Sequence, residues 1–592
     1  MMKARLLASI GMVLTPVAAM AAPPVAADVV FTHGAIHTLD AGDRVVSALA
    51  VRDGRIVYVG DDAGALALAG AGTRKVDLKG RVVMPGLIDG HMHPLAGGLG
   101  LLSCTLDYRR LTIPEMQGIV KGCLDHGGSA AEGKWLVVIN WFQQETQPIG
   151  VETTKALLDA LPTKRPIIIQ SSFGHSTLAN SRALELAGIT GKTPDPVGGQ
   201  IHHDANGQPT GLLEDAAQHL LSRLVPPPTV ADNHAAARAA LAAMAKQGVT
   251  GFLDAAAPPE AVEAFSTVAK EGGLTARAHF APVIEPKDGP APDKAIAGIV
   301  ALRKAYDQGE LSPQPGITVR NVKLFMDGVI TAPAFTGVML QPYRVNKGTA
   351  DMPDWQPSGG TGPAPYFPQP VLDPLVQKLA ALGFDPHMHA DGDGAVRIAL
   401  NASEALRKAH PEWGTRPAIA HDESVDPADY ARYKALGVIP VLSFQWEKQA
   451  ADTVGGAKEF MGPDRYARLE PSGYLTQAGA PIAYGSDWPV DPLDEWFALK
   501  VGVTRLNAPS AGEQYAHPLP GPGLTVAQAV HAITTGAAYE LRMEKVAGSL
   551  EPGKFADLIE IDRDIFAGDP RAIADTRVLM TMVGGKVVYS AD

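Results

Sequence analysis

Two histidines one residue apart close an apolar run in Val82-Val83-Met84-Pro85-Gly86-Leu87-Ile88-Asp89-Gly90-His91-Met92-His93-Pro94. Pro85-Gly86 breaks the run, and Leu87-Ile88 reads as a buried strand. Side chains alternate across a strand, so His91 and His93 are expected on the same side. Two imidazoles side by side among glycines suit a divalent metal. Taken alone, such a pair is more often simply packed or hydrogen-bonded. The deciding question is whether other ligand-type residues reach the same place.

The middle of the chain answers it by its rhythm. Apolar strands ending in Gly, His or Asp alternate with helical stretches, which predicts a parallel α/β unit. After the strand ending at His93 come runs at Gly248 to Asp254, Leu274 to Val283, Ile317 to Phe325 and Phe384 to Ala390. Pro417 to His421, Val438 to Phe444 and Pro481 to Ser486 follow. Eight parallel strands with intervening helices predict a TIM (β/α)8 barrel, its active site at the carboxyl ends of the strands.

Ligand-type residues recur at those ends. His387-Met388-His389-Ala390-Asp391-Gly392-Asp393 closes the fifth strand, Ala420-His421-Asp422 the sixth and Gly485-Ser486-Asp487-Trp488-Pro489 the eighth. Each is weak alone; their common placement at one barrel end is not. The fourth strand adds Lys323 inside an apolar run. A buried lysine costs free energy unless paired or altered. The plain reading is a salt bridge to Asp327. The sharper one is an amine of lowered pKa that takes up carbon dioxide, giving a carbamate able to bridge two metals.

The rest of the 592 residues places this unit. Lys3 and Arg5, the apolar Leu6 to Val17 and Ala19-Met20-Ala21 read as a signal peptide, 1–21, cut after Ala21. The mature protein is then expected in the periplasm or outside the cell. Short strands with turns, such as the pair around Asp53-Gly54, fill 22–84 and return in 541–592. The two ends are expected to build one composite β-sandwich domain. Between them, 85–540 forms the barrel, and 95–246 is too long for a simple βα connection and reads as an inserted cap. Gly348 to Gln369 reads as a long loop. Cys104 and Cys123, the only cysteines, are open to either a disulfide or two buried thiols. A net charge of −12 without a basic block argues against nucleic acid or an anionic membrane surface as partner.

Several segments together resemble the amidohydrolase superfamily, and within it amidohydrolase family 3, the YtcJ-like and N-substituted formamide deformylase-like hydrolases. These are Val83 to His93, Phe173-Gly174-His175-Ser176-Thr177-Leu178-Ala179-Asn180, Val322 to Gly328, His389 to Asp393, Gly485 to Val490 and Gly548 to Leu558. The resemblance spans nearly the whole mature chain. It implies that His91, His93 and Asp487 hold one metal and His389 and His421 a second, with carbamylated Lys323 between them. Zinc is the expected ion, as one or two ions. Asp487 would be the proton-shuttling catalytic residue. A metal-bound hydroxide would attack a C–N bond in a linear amide, an N-substituted formamide or a cyclic amide. His175 and Asn180 are expected either to touch the substrate or to brace the cap. Ala420, Asp391 and Gly394 depart from the common pattern, and His387 competes with His389 for the metal-facing position. The resemblance makes a homodimer plausible. Two other readings stay open: a metal-dependent esterase or lactonase, and a non-catalytic regulatory protein on the same scaffold.

Overall fold

The computed structural model describes residues 26–591 apart from 127–133, 144–145, 149, 173, 175, 197–198, 333 and 350. The expected signal peptide, 1–21, and His175 lie outside the described residues. Strands β1 (Leu87–Met92), β2 (Val249–Asp254), β3 (Arg277–Phe280) and the first half of β4 (Ile317–Thr318) pair in parallel. The second half of β4 (Asn321–Phe325) pairs in parallel with β5 (Asp385–Ala390). β6 (Ala418–His421), β7 (Ile439–Leu442) and β8 (Ala483–Tyr484) continue that sheet. A parallel bridge from Val283 to Lys323 stitches the two sheets. On the far side the Asp487 N–H donates to the His91 carbonyl at 2.7 Å. These parallel sheets are consistent with a (β/α)8 barrel.

Burial on both faces explains the strand sequences. Every residue of β1 and β2 is buried, as in parallel sheets covered by helices. The helix before β2 spans Val230–Gln247. It opens with a capping box in which Thr229 and Asp232 satisfy each other's backbone N–H groups, and it stops at Gly248. Ala236, Ala237, Ala240, Leu241 and Met244 form its buried stripe within the main core. Among the described residues no helix is long and apolar enough to cross a membrane.

Both chain ends contribute to one six-stranded sheet. Its order is Lys586–Ser590, Val578–Val583, Leu558–Ile561, Val82–Pro85, Ala35–His37, Val45–Val46. A four-stranded sheet, including Ala27–Thr32 and the hairpin around Asp53-Gly54, packs with it into a cluster of Val29, Phe31, Leu49, Val83, Leu558 and Met582. Residues 104–215 carry a separate six-stranded sheet with two apolar clusters of its own. Cys104 and Cys123 are joined as a disulfide, Cα atoms 5.8 Å apart, tying an edge strand to the helix Ile113–His126. The stretch read as a long loop, Gly348 to Gln369, is partly paired: its Trp355–Pro357 forms a short antiparallel hairpin with the preceding Arg344–Asn346.

One buried ion pair fastens the end sheet to the barrel. Arg277 in β3, 1% exposed, donates from Nε to Asp557 at 2.7 Å and from Nη2 at 3.1 Å. Its guanidinium also lies 4.2 Å from the Phe555 ring centroid. Arg277→Ala strands a buried carboxylate and is expected to cost about 3–5 kcal/mol. Denaturant unfolding of the variant measures this.

Candidate metal centre

The six residues expected to bind metal line one cavity of about 540 Å³: His91, His93, Lys323, His389, His421 and Asp487. The strand carrying the first pair ends at Met92, not His93. His93 instead sits at the N-cap of the helix Pro94–Leu102, where Pro94 favours the start. Both rings nonetheless reach one oxygen. Asp487 Oδ1 lies 2.9 Å from His93 Nε2 and 3.4 Å from His91 Nε2. Lys323 Nζ is 3.3 Å from His91 Nε2, and the His421 ring centroid is 4.6 Å from both the His91 and the His389 centroids. Two groups of donor atoms, each within 4.8 Å, can hold a cation: His91, His93, Asp487 and His389, Asp391, His421. Asp391, noted in the sequence only as a departure, is the unforeseen member.

Two of the donors sit on strained backbone. His421 has φ 80° and Asp487 φ 52°, in the left-handed region, at about 1–3 kcal/mol each. The turns are held by the Asp487 N–H on the His91 carbonyl and the Asp422 N–H on the Ala390 carbonyl at 3.1 Å.

The electrostatics suit ligation. Burial, then the Lys323 charge, pushes His91 well below the ordinary imidazole value and His389 down to about 4. Burial and the neighbouring His389 and His91 do the same to His421. These rings are neutral at pH 7, as metal ligands must be. Burial would raise Asp487, but the His93 hydrogen bond and the charges around it outweigh burial and hold it low. Burial pushes Lys323, fully enclosed, down to about 8. Asp391 is raised well above the carboxylate range by burial and by Glu423. Its Oδ1 and His421 Nδ1 are buried without hydrogen-bond partners among the described residues, so both call for a positive partner. The donor set therefore fits divalent ions.

Supporting residues complete the site. Lys323 makes no ion pair with Asp327, contrary to the plain reading. Asp327 instead accepts from the backbone N–H groups of Val338, Asp391 and Gly392 at 2.8–3.0 Å, tying two strand-end loops together. His387 does not displace His389. It stands behind His91, with Nε2 2.8 Å from His91 Nδ1 and Nδ1 3.2 Å from Glu540 Oε1. The His387 contact accommodates a proton on His91 Nδ1, the tautomer that leaves Nε2 free to bind metal. A Cβ at Gly90 would sit 2.1 Å from Glu540 Oε2, so only glycine admits this carboxylate. Asp254, closing β2, lies 4.0 Å from His93 Nδ1; an acid ending an apolar strand at the same barrel end was the signal for it.

Of the two roles expected for Asn180, its hydrogen bonds match bracing of the cap. Its Oδ1 accepts from Ile167 N and Ala183 N at 3.0 and 2.9 Å, and its Nδ2 donates to the Arg165 carbonyl at 2.9 Å. It caps a helix and does not line the cavity. Phe142 lines the cavity, while its neighbour Trp141 is core.

A barrel with these donors at its strand ends defines a metal-dependent hydrolase. The chain belongs to the amidohydrolase family, whose model matches residues 74–589. It is 28% identical to the putative amidohydrolase YtcJ of Bacillus subtilis, over 94% of this chain and 98% of that one. It is 24% identical to N-substituted formamide deformylase of Arthrobacter pascens, over 95% and 98%. The crystal structure of a metal-dependent hydrolase from Pyrococcus horikoshii shares the fold, with TM-score 0.68 and 23% identity over 92% of this chain and 99% of that one. The protein is thus a hydrolase of carbon–nitrogen bonds.

His387→Phe removes the partner of His91 Nδ1 without touching a metal donor. Metal affinity is expected to fall about 10–100-fold, read by competition with a chromophoric chelator.

Proposed function

We propose that the protein is an exported amidohydrolase that cleaves a linear amide, an N-substituted formamide or a cyclic amide. The observation that carries this reading is the shared contact of His91, His93 and Asp487, with Lys323 Nζ beside them. His91, His93 and Asp487 would hold one divalent ion, and His389 and His421, with Asp391 beside them, a second. Zinc suits imidazole and carboxylate donors. Such ions supply Lewis acidity toward a carbonyl and make water nucleophilic at neutral pH. Lys323, buried and without a carboxylate partner among the described residues, is a candidate for N6-carboxylation between the two sets.

The chain's own residues do the rest. Asp487 stays ionised, so it takes a proton from the attacking water and returns it to the leaving nitrogen. Glu540 and His387 keep the His91 ring in one tautomer. Asp254 steadies His93. We assign residues 95–246 as a cap over the barrel mouth and the two chain ends as one β-sandwich domain. The Cys104–Cys123 disulfide supports an oxidising compartment, in keeping with cleavage after Ala21.

Asp487→Asn is expected to lower kcat on an N-substituted formamide about 10²–10⁴-fold while circular dichroism stays unchanged. Retained turnover contradicts the proton-transfer role. Activity is also expected to disappear on chelation and to return with zinc. Depleting carbon dioxide during reconstitution is expected to reduce recovery, and bicarbonate to restore it, if Lys323 is carboxylated.

A further inference from the structure

One side of the cavity carries carboxyl groups that the metal donors do not use, and burial and neighbouring carboxylates push Glu470 and Glu423 above the usual carboxylate range. Glu470 is 6% exposed, yet it lines the cavity, and its carboxylate has no hydrogen bond or ion pair among the described residues. Nearby Arg505 does not neutralise it. That guanidinium pairs with Glu447 at 2.9 Å and donates to the backbone carbonyl of Glu470, not to its carboxylate. Glu423, half-buried, lines the same wall, and its carboxylate also lacks a partner there. The two are joined through the backbone, Glu470 N–H donating to the Glu423 carbonyl at 2.9 Å. Asp452 adds a third carboxylate, whose Oδ1 accepts from the Thr453 N–H. Three of the protein's own cations line the cavity: Lys323, which faces His91, Lys448, which donates to the Gln445 carbonyl, and Arg110.

Unpaired carboxylates against an apolar wall are costly. A ligand that brings a cation removes that cost. The same cavity is lined by Phe142, Ile330, Trp446 and Leu469, which suit a hydrocarbon stem. A metal ion at this place would find carboxylates only, without the imidazoles that serve the two donor groups.

We propose that this wall is a cation subsite, in which Glu470 and Glu423, assisted by Asp452, bind the protonated amine of a substrate whose amide bond lies at the metal donors. The inference rests on the hydrolase reading and narrows it to amides that carry a second, positively charged nitrogen. Glu470 and Glu423 would be specificity residues rather than catalytic ones. No bond is made or broken at the subsite.

Calorimetry on the metal-loaded protein compares hexylammonium with 1-hexanol, which share a stem and differ in charge. The ammonium ion is expected to bind about 10–100-fold more tightly, the size of charge-assisted hydrogen bonds away from bulk water. Glu470→Gln is expected to remove most of that preference, and Glu423→Gln part of it. Equal binding of the two probes overturns the proposal. A preference that survives in both variants also overturns it, because the amine is then on the metal. If Glu470→Gln does not fold, as judged by circular dichroism, Glu423→Gln and Asp452→Asn decide in its place.

Turnover separates this inference from the reading beneath it. N-formyl-1,6-diaminohexane is expected to show a higher kcat/KM than N-formylhexylamine, with the advantage lost in Glu470→Gln. If neither formamide is cleaved, the reaction assignment fails while calorimetry still decides the subsite. If both are cleaved alike and the amine does not bind, only the subsite fails.

Discussion

The structure depends on the seam where the last barrel strand meets the first. Asp89 Oδ1 accepts from the His91 N–H at 3.0 Å and from the Ser486 N–H at 3.1 Å. The Asp487 N–H then reaches the His91 carbonyl, and the His93 N–H reaches the Trp488 carbonyl, each at 2.7 Å. One fully buried carboxylate thus fixes the backbone on both sides. The seam brings an aspartate from one end of the barrel sequence against two histidines from the other. A Cβ at Gly485 would lie 2.3 Å from that of His91, so the approach is as close as glycine permits. Without this joint the ring of donors has no common centre.

Around the seam, low polarity and preset geometry act together. Burial keeps the imidazoles neutral, while His93 and nearby positive charge keep Asp487 ionised. Left-handed turns at His421 and Asp487 aim short side chains inward from strand ends. Such strain persists where the surroundings over-determine it. Here the hydrogen bonds between neighbouring strand ends do so.

Much of this was legible in the sequence because each donor interrupts an apolar run. His91, Lys323, His389, His421 and Asp487 stand out at or near the ends of strands whose buried residues are otherwise hydrophobic. The eight runs read from the sequence correspond to the strands, although the fourth is broken between Thr318 and Asn321. Partners distant in sequence were not legible. Glu540 meets His387 from a short helix near the end of the chain, and nothing local marks that pairing. Asn180 was left open between two roles because an N-cap and a substrate contact use the same kind of side chain, and its capping bonds answer to the bracing one. The salt bridge weighed for Lys323 fails because three backbone N–H groups claim Asp327, which local sequence does not reveal. The Arg344–Asn346 hairpin escaped notice because its strands are three residues each, amid proline and glycine.

The central claim is that donors from five separate places in the chain share an inorganic centre. Anomalous diffraction at the zinc edge, from crystals of the zinc-loaded protein, tests it most directly. A peak is expected among His91, His93 and Asp487, with a second beside His389 and His421 where two ions are bound. Fully loaded crystals with no peak in this cavity, or with one bound elsewhere and these side chains unengaged, would contradict it.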